Sequence, residues 1–231
     1  MTTEAYVRDP NFEVIGVGVK VNNKKTEWAS GTHEQLKSYL HTFDWAKSMV
    51  LCHNTMFDGA ILSWHYDIHP RVYTDTLCIS RALHGVETSS SLKALAEKYQ
   101  IGAKGDEILN TLGKKRKDFS KEELGSFGDY CINDVDLTYK LFSIMVRGFP
   151  KGELKLIDRT LRMFIEPILD LDLNLLEQHL METRSRKDDL LRSAKVVKAD
   201  LMSNPKFAEL LEQLGVKPPM KISPTTGKET F

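Results

Sequence analysis

Cysteine is scarce: Cys52, Cys78 and Cys131 are the three thiols in 231 residues. Three scattered cysteines make no disulfide framework and suit a reducing cytoplasm. Long apolar runs are missing as well. No stretch approaches the roughly 20 residues that cross a bilayer, and the N-terminus carries no signal-peptide pattern, so a membrane partner is not expected. Nor is there a surplus of charge of one sign, since Lys+Arg and Asp+Glu each number 32. A balanced chain does not draw nucleic acid by its overall field, so any such partner has to be recognised by local chemistry. Internal repeats and low-complexity tracts are absent too. What is present is 41% hydrophobic and 28% charged residues, enough for one large domain, or one domain and a smaller piece.

Apolar patterning divides the chain. "FEVIGVGVKV" (12–21) is rich in Val and Ile and predicts a strand. "EQLKSYL" (34–40) suits a helix, and "SMVLC" (48–52) is a short unbroken apolar run, the pattern of a strand buried on both faces. Asn54 is placed to cap a helix through "TMFDGAILSWHY", and "RVYTDTLCISRALHG" (71–85) predicts a strand passing into a helix capped by Asp75. Serines precede a Leu92, Leu95, Ala96, Tyr99 stripe, and "SKEE" (120–123) has the spacing of a capping box ahead of a long helix. Strands alternating with helices predict an α/β layered domain over residues 1–148. "GFPKG" (148–152) is a linker signal. Residues 149–231 are predicted to be mostly helical, with "ILDLDL" alternating like a short strand, a long charged helix after it, and a further helix bounded by Pro205 and Gly215.

Two aspartates stand two positions apart in "YCINDVDLTYKLF" (130–142). At 100° per residue, Leu137, Leu141, Ile144 and Met145 share an arc with Tyr130, and Asp134 lies near its centre. Asp136 falls opposite, beside Lys140, an i,i+4 partner on a solvated face. An isolated buried carboxylate costs several kcal/mol unless it is paired or binds a metal, so something must meet Asp134. A hydrogen-bonded core aspartate is one answer. A second acid nearby is another, and Asp58 offers it, one helical turn after the apolar strand. Ligands gather at the carboxyl ends of strands in α/β sheets, and a helix N-terminus favours the ionised form.

N-x-x-F-D after a strand (Asn54, Phe57, Asp58), then Y-x-x-x-D on a helix (Tyr130, Asp134), resembles the second and third motifs of the DEDD exonucleases in their tyrosine version. "YTDTLCISRALHG", "SLKALAEKYQI" and "MFIEPILDLDLNLLEQHL" extend the likeness to the 3′–5′ exonuclease region and the start of the thumb of phage-type family A DNA polymerases. The resemblance implies a ribonuclease-H-like mixed sheet flanked by helices. It implies proofreading hydrolysis at the 3′ end of single-stranded DNA with two Mg²⁺ (or Mn²⁺) ions, in the cytoplasm of a bacterial or phage-infected cell. Asp134 would hold the ion that carries the nucleophile, Asp58 would serve the second ion, and Tyr130 would orient the attacking water. Asn54 and Phe57 would meet the substrate.

The family's first motif, an Asp-x-Glu on a central opening strand, has no counterpart in this sequence. Glu4, Asp9 and Glu13 stand near its position only. The resemblance therefore implies a chain cut before that motif and before the polymerase palm, with weak activity alone. Its partners would be the rest of a polymerase or a chain supplying the motif. The alternatives are a non-catalytic module binding single-stranded DNA or a polymerase partner, or one half of a split polymerase. Lys114, Lys115 and Arg116 in "GKKRK" could contact phosphates. The histidines of "WHYDIHP" match no zinc spacing, and Asp170-x-Asp172 is explained by strand alternation. Trp64, Tyr66 and Phe57 could stack on bases, with core packing the better account of Phe57.

Overall fold

The computed structural model describes residues 1–85, 87–105, 114–224 and 227–230. It forms two compact units, Met1–Ile168 and Leu169–Phe231.

The first unit runs α1 (Thr3–Val7), β1 (Gly16–Val19), β2 (Glu27–Ser30), α2 (His33–Leu40), β3 (Met49–Cys52), α3 (Thr55–Tyr66), β4 (Val72–Asp75), α4 (Thr76–His84), α5 (Leu92–Lys98), α6 (Lys121–Met145) and α7 (Lys151–Ile165). The predicted caps form where short polar side chains precede apolar stripes. Ser120 and Glu123 close a reciprocal capping box on α6, Asp75 accepts from the Leu77 N–H, and Ser91 from that of Ala94. Asn54 departs from expectation. It occupies the N-cap of α3 in the left-handed region, φ 79°, and its side chain caps nothing. Its own N–H donates to Asp75 Oδ1 at 2.9 Å, so the strand-to-helix turn is tied to the next strand instead.

The sheet is the main departure. A single mixed sheet is expected, and the described residues of the unit hold two two-stranded ones. β1 and β2 pair antiparallel, Gly16 opposite Ser30 and Val19 opposite Glu27. β3 and β4 pair parallel, Met49 opposite Val72 and Cys52 opposite Asp75. Among the described residues no backbone hydrogen bond joins one pair to the other.

Helices cover both faces. Gly18 faces α6, where a Cβ would lie 3.2 Å from Val135, while Val17 and Val19 turn to Leu36, Leu40, Tyr66 and Ile68 on the side of α2 and α3. α6 also buries Leu137, Leu141 and Met145 against Ile79, Leu92 and Leu95 of α4 and α5. α7 packs on α3 and β4, so the first compact unit reaches past residue 148. Leu161 and Ile165 meet Val50 and Tyr73. Arg162 fastens this joint, bonding Asp158 at 3.2 Å, Glu166 at 2.6 Å and the Pro70 and Arg71 carbonyls.

The second unit comprises α8 (Leu173–Ser193), α9 (Lys198–Leu201), α10 (Asn204–Gln213) and an antiparallel hairpin of β5 (Lys221–Ile222) and β6 (Glu229–Thr230). Pro205 sits in the first turn of α10, and Gly215 stops the chain at φ 74°. "ILDLDL" is not a strand: no strand pairs with it among the described residues, and Asp172 instead caps α8 through the Leu175 N–H. None of the described helices is long and apolar enough to cross a membrane.

Candidate functional site

A cleft of about 510 Å³ opens between the two half-sheets, and Asp58 and Asp134 both line it. Asp58 arrives one turn into α3, directly after β3, and Asp134 projects from the middle of α6. Two acids far apart in the chain thus share one hollow at the carboxyl end of a strand.

Their surroundings differ. Burial, with the nearby negative charge of Asp75 in second place, pushes the Asp58 carboxyl up to about 6. Asp134 is met by Lys104, whose Nζ lies 2.5 Å from Oδ2. Burial works to lower the Lys104 ammonium's pKa, but the bonds to Asp134 and Tyr130 carry it above its ordinary value. The other oxygen, Asp134 Oδ1, is buried and has no partner among the described residues. Tyr130 is buried one turn before Asp134, with Lys104 Nζ 5.0 Å from its ring centre. Burial raises its phenol above the ordinary value, so it remains a protonated donor at neutral pH. Tyr130 does not itself line the cleft, and Lys104 connects it to Asp134.

Sequence reasoning missed Lys104 and underrated Asp75. Lys104 lies in "IGAKGD", where no spacing marks it. Asp75 was legible as a cap, but it is also 2% exposed, holds the Asn54 N–H and adds to the effect of burial in raising the Asp58 carboxyl. His53 lines the cleft too, its Nδ1 2.8 Å from the Thr76 hydroxyl and Nε2 3.0 Å from the Ser90 carbonyl. Burial lowers its pKa, and it stays neutral. Burial also pushes the Cys131 thiol up to about 12, so it is no nucleophile.

The remaining candidates lie elsewhere. Asn54 is exposed at the turn, and Phe57 stacks on Tyr6, ring centres 6.1 Å apart. Trp64 is packing: its indole N–H donates to the Ile165 carbonyl at 2.8 Å, and Arg8 sits over the ring at 4.1 Å. Lys114 pairs with Glu123 at 2.7 Å, the Lys115 ammonium bonds the Asn11 carbonyl, and Arg116 reaches Ser30 at 3.2 Å. Glu4 pairs with Arg8, Asp9 accepts from the Asn11 N–H, and Glu13 accepts from that of Arg116. None of these three acids lines the cleft. Asp136 is not simply solvated. It accepts from Lys20 at 2.9 Å and Thr26 at 2.5 Å, while Lys140 turns to the Ile101 carbonyl.

The donor set suits a hard cation only in part. Carboxylate oxygens are right for Mg²⁺ or Mn²⁺, and the orphaned Oδ1 of Asp134 is the kind of atom such an ion satisfies. Yet among the described residues no three His, Cys, Asp or Glu side chains converge.

No curated protein matches the chain. Residues 11–148 match a family model described as 3′–5′ exonuclease, a span that takes in β1 through α6 with Asp58, Tyr130 and Asp134; the chain belongs to this 3′–5′ exonuclease family.

Proposed function

We propose that this chain is the proofreading 3′–5′ exonuclease segment of a family A DNA polymerase, followed by the start of its thumb, and that it acts on the 3′ end of single-stranded DNA. The observation that carries the reading is the convergence of Asp58 and Asp134 on one cleft within the matched span.

A divalent cation would be held by Asp58 and Asp134, and when bound it supplies charge neutralisation at the scissile phosphate and an activated water. Asp58, with a carboxyl near 6, gives up its proton as positive charge arrives. Lys104 neutralises Asp134 until then and has to withdraw from Oδ2 for that carboxylate to take another cation. The Tyr130 phenol, one turn away on the same face, donates to the attacking water and fixes its direction. The water oxygen bonds to the terminal phosphorus, and the bond to the preceding 3′ oxygen breaks. A nucleoside 5′-monophosphate leaves, and the shortened strand keeps a 3′-hydroxyl. Two acids hold only part of a two-ion site, so turnover by these residues alone is expected to be weak.

Calorimetry with Mn²⁺ and release from a 3′-labelled single strand test this together. Lys104→Met frees Asp134 and is expected to tighten Mn²⁺ binding several-fold, while Asp58→Asn and Asp134→Asn weaken it and abolish any release. Equal Mn²⁺ affinity in all four proteins would overturn the assignment. A second reading, a module that binds single-stranded DNA without cutting it, is favoured by the Lys104 cap on Asp134. Retained DNA binding with no release, unchanged by Asp134→Asn, would establish it instead.

A further inference from the structure

We propose that His69 is a proton-operated clasp: as an imidazolium it bridges the carboxylates that close α3 and α7, and loss of its proton opens the bridge.

The hydrogen bonds require the charge. His69 Nε2 lies 3.1 Å from Asp67 Oδ1, and Nδ1 lies 3.2 Å from Glu166 Oε1. An ionised carboxylate only accepts, so both ring nitrogens have to donate. A neutral imidazole carries one N–H, and its second nitrogen would turn a lone pair on a carboxylate. Only the cation makes both bonds. The side chain is 51% exposed, so solvent protons reach it, while its neighbours Ile68 and Pro70 are buried and hold the backbone in place.

The anchors are placed to favour that cation. Asp67 is the residue that closes α3, in the left-handed region at φ 54°, where glycine is the usual occupant. Glu166 follows the last turn of α7 and precedes Pro167, which stops the helix. Both acids therefore stand at helix C-termini, whose partial negative charge repels a carboxylate and attracts a cation. An imidazolium between them answers both ends at once.

The other charges nearby do not supply a substitute. On α3, His65 is taken by the Val7 carbonyl at 2.8 Å. On α7, Arg162 holds Glu166 Oε2 at 2.6 Å and Asp158 at 3.2 Å. On β4, the Tyr73 hydroxyl donates to Glu166 Oε1 at 2.8 Å. In the turn between α3 and β4, Arg71 gives only its carbonyl, to Arg162. Burial works to lower the His69 pKa, but the bonds to Asp67 and Glu166 carry it above its ordinary value. Burial tends to raise Glu166, and the bonds from Tyr73, His69 and Arg162 hold it below. The clasp is thus closed below the ordinary histidine pKa and opens as pH rises through the higher folded one. Glu166 keeps Tyr73 and Arg162 when that happens, so α7 stays docked and the change is local: the ends of two helices lose their tie. One of those helices bears Asp58. His69, Asp67 and Glu166 do not line the cleft, so the clasp does not rest on the nuclease reading.

Trp64 supplies the readout, because its indole N–H donates to the Ile165 carbonyl and joins the same two helices beside the clasp. Nuclear magnetic resonance of the whole chain, with histidine ring carbons and tryptophan indoles labelled, follows both groups from pH 5 to 9. His69 is expected to titrate with a midpoint above the ordinary value of about 6.5, and the Trp64 indole resonance to step at the same pH. Asp67→Asn, an exposed change to a residue that also tolerates the left-handed region, should lower both midpoints together by about half a pH unit or more. His69→Gln should remove the Trp64 step. A His69 midpoint at or below about 6.5, a midpoint that Asp67→Asn leaves in place, or a Trp64 step that survives His69→Gln would overturn the proposal. No nucleotide release is measured, so failure here is separable from failure of the nuclease reading.

Discussion

The two half-sheets flanking the cleft are built to different standards. β3–β4 is parallel, three of the four β4 residues are buried, and its outer edge is fastened by α7 through Asp158, Arg162 and Glu166. β1–β2 is antiparallel, holds no fully buried residue, and leans on α6 and α2. The chemistry follows the stiffer half. Asp75 ends β4, and Asn54 and Asp58 begin the helix after β3, so the site rests on strands held from three sides. The β1–β2 half contributes walls and glycines. A catalytic carboxylate has to be held within fractions of an ångström; the fastened half does this for Asp58, and Asp134 depends on α6, which is packed on α4 and α5.

Removing that packing should produce the largest effect. Ile165 is fully buried against Val50 and Tyr73, and Ile165→Ala is expected to cost about 2–5 kcal/mol. Val19→Ala on the other half, where the side chain is half-buried, should cost about 1 kcal/mol. Urea denaturation of both compares them, and equal losses would erase the distinction.

Asp58 comes next, because the strain is concentrated there. An unfolded aspartate titrates near 3.9 and the folded one at about 6. Below pH ~4 both states hold the proton, and the residue contributes nothing. Between ~4 and ~6 the folded state keeps a proton that the unfolded state has released, so stability falls as pH rises. Above ~6 the penalty is complete, at most about 3 kcal/mol for two units. Asp58→Asn removes it. In chelator the variant should be more stable than the parent at pH 8 and no different at pH 3.5, a crossing that thermal melts at the two pH values check.

On the softer half, Trp28 fills the space between two glycines. A Cβ on Gly128 would lie 2.7 Å from the indole, and one on Gly16 would also collide with it. Gly128→Val should cost about 1–3 kcal/mol and shift Trp28 fluorescence as the ring is displaced. An unchanged spectrum would show that β1–β2 has room to yield.

Local signals made much of this legible. The capping box at Ser120, the Asp75 cap and the Val-rich and apolar strand runs are short-range patterns, read within one turn or one strand. The acids were legible because a carboxylate in the apolar arc of α6 needs an explanation, and because Asp58 follows a strand. Lys104 was not, since its meaning comes entirely from a partner 30 residues away. The break between half-sheets was not either: β1, β3 and β4 fall where strands were predicted, but β2 was not predicted, and pairing is settled by which edges meet. α7 looked like the far side of a linker because its sequence does not say that Arg162 reaches the Pro70 and Arg71 carbonyls.

Asp136 shows the same limit on a smaller scale and gives the finest comparison. Helical spacing assigns it to Lys140, four residues on. In the fold it takes Lys20 and Thr26 from the β1–β2 half, and Lys20 is only 16% exposed while doing so. Burial tends to raise the Asp136 carboxyl, but the Thr26 and Lys20 bonds outweigh it and hold it below its usual value. A depressed carboxylate stabilises above its unfolded pKa, and that contribution disappears as pH falls through the folded one. With Asp136 about a third exposed, solvent screening leaves the Lys20 pair worth about 1 kcal/mol. A double-mutant cycle of Lys20→Met with Asp136→Asn should return that coupling at pH 7 and none at pH 2. The cycle of Lys140→Met with Asp136→Asn should return close to zero at both, because on this surface the cross-sheet partner has displaced the helical one.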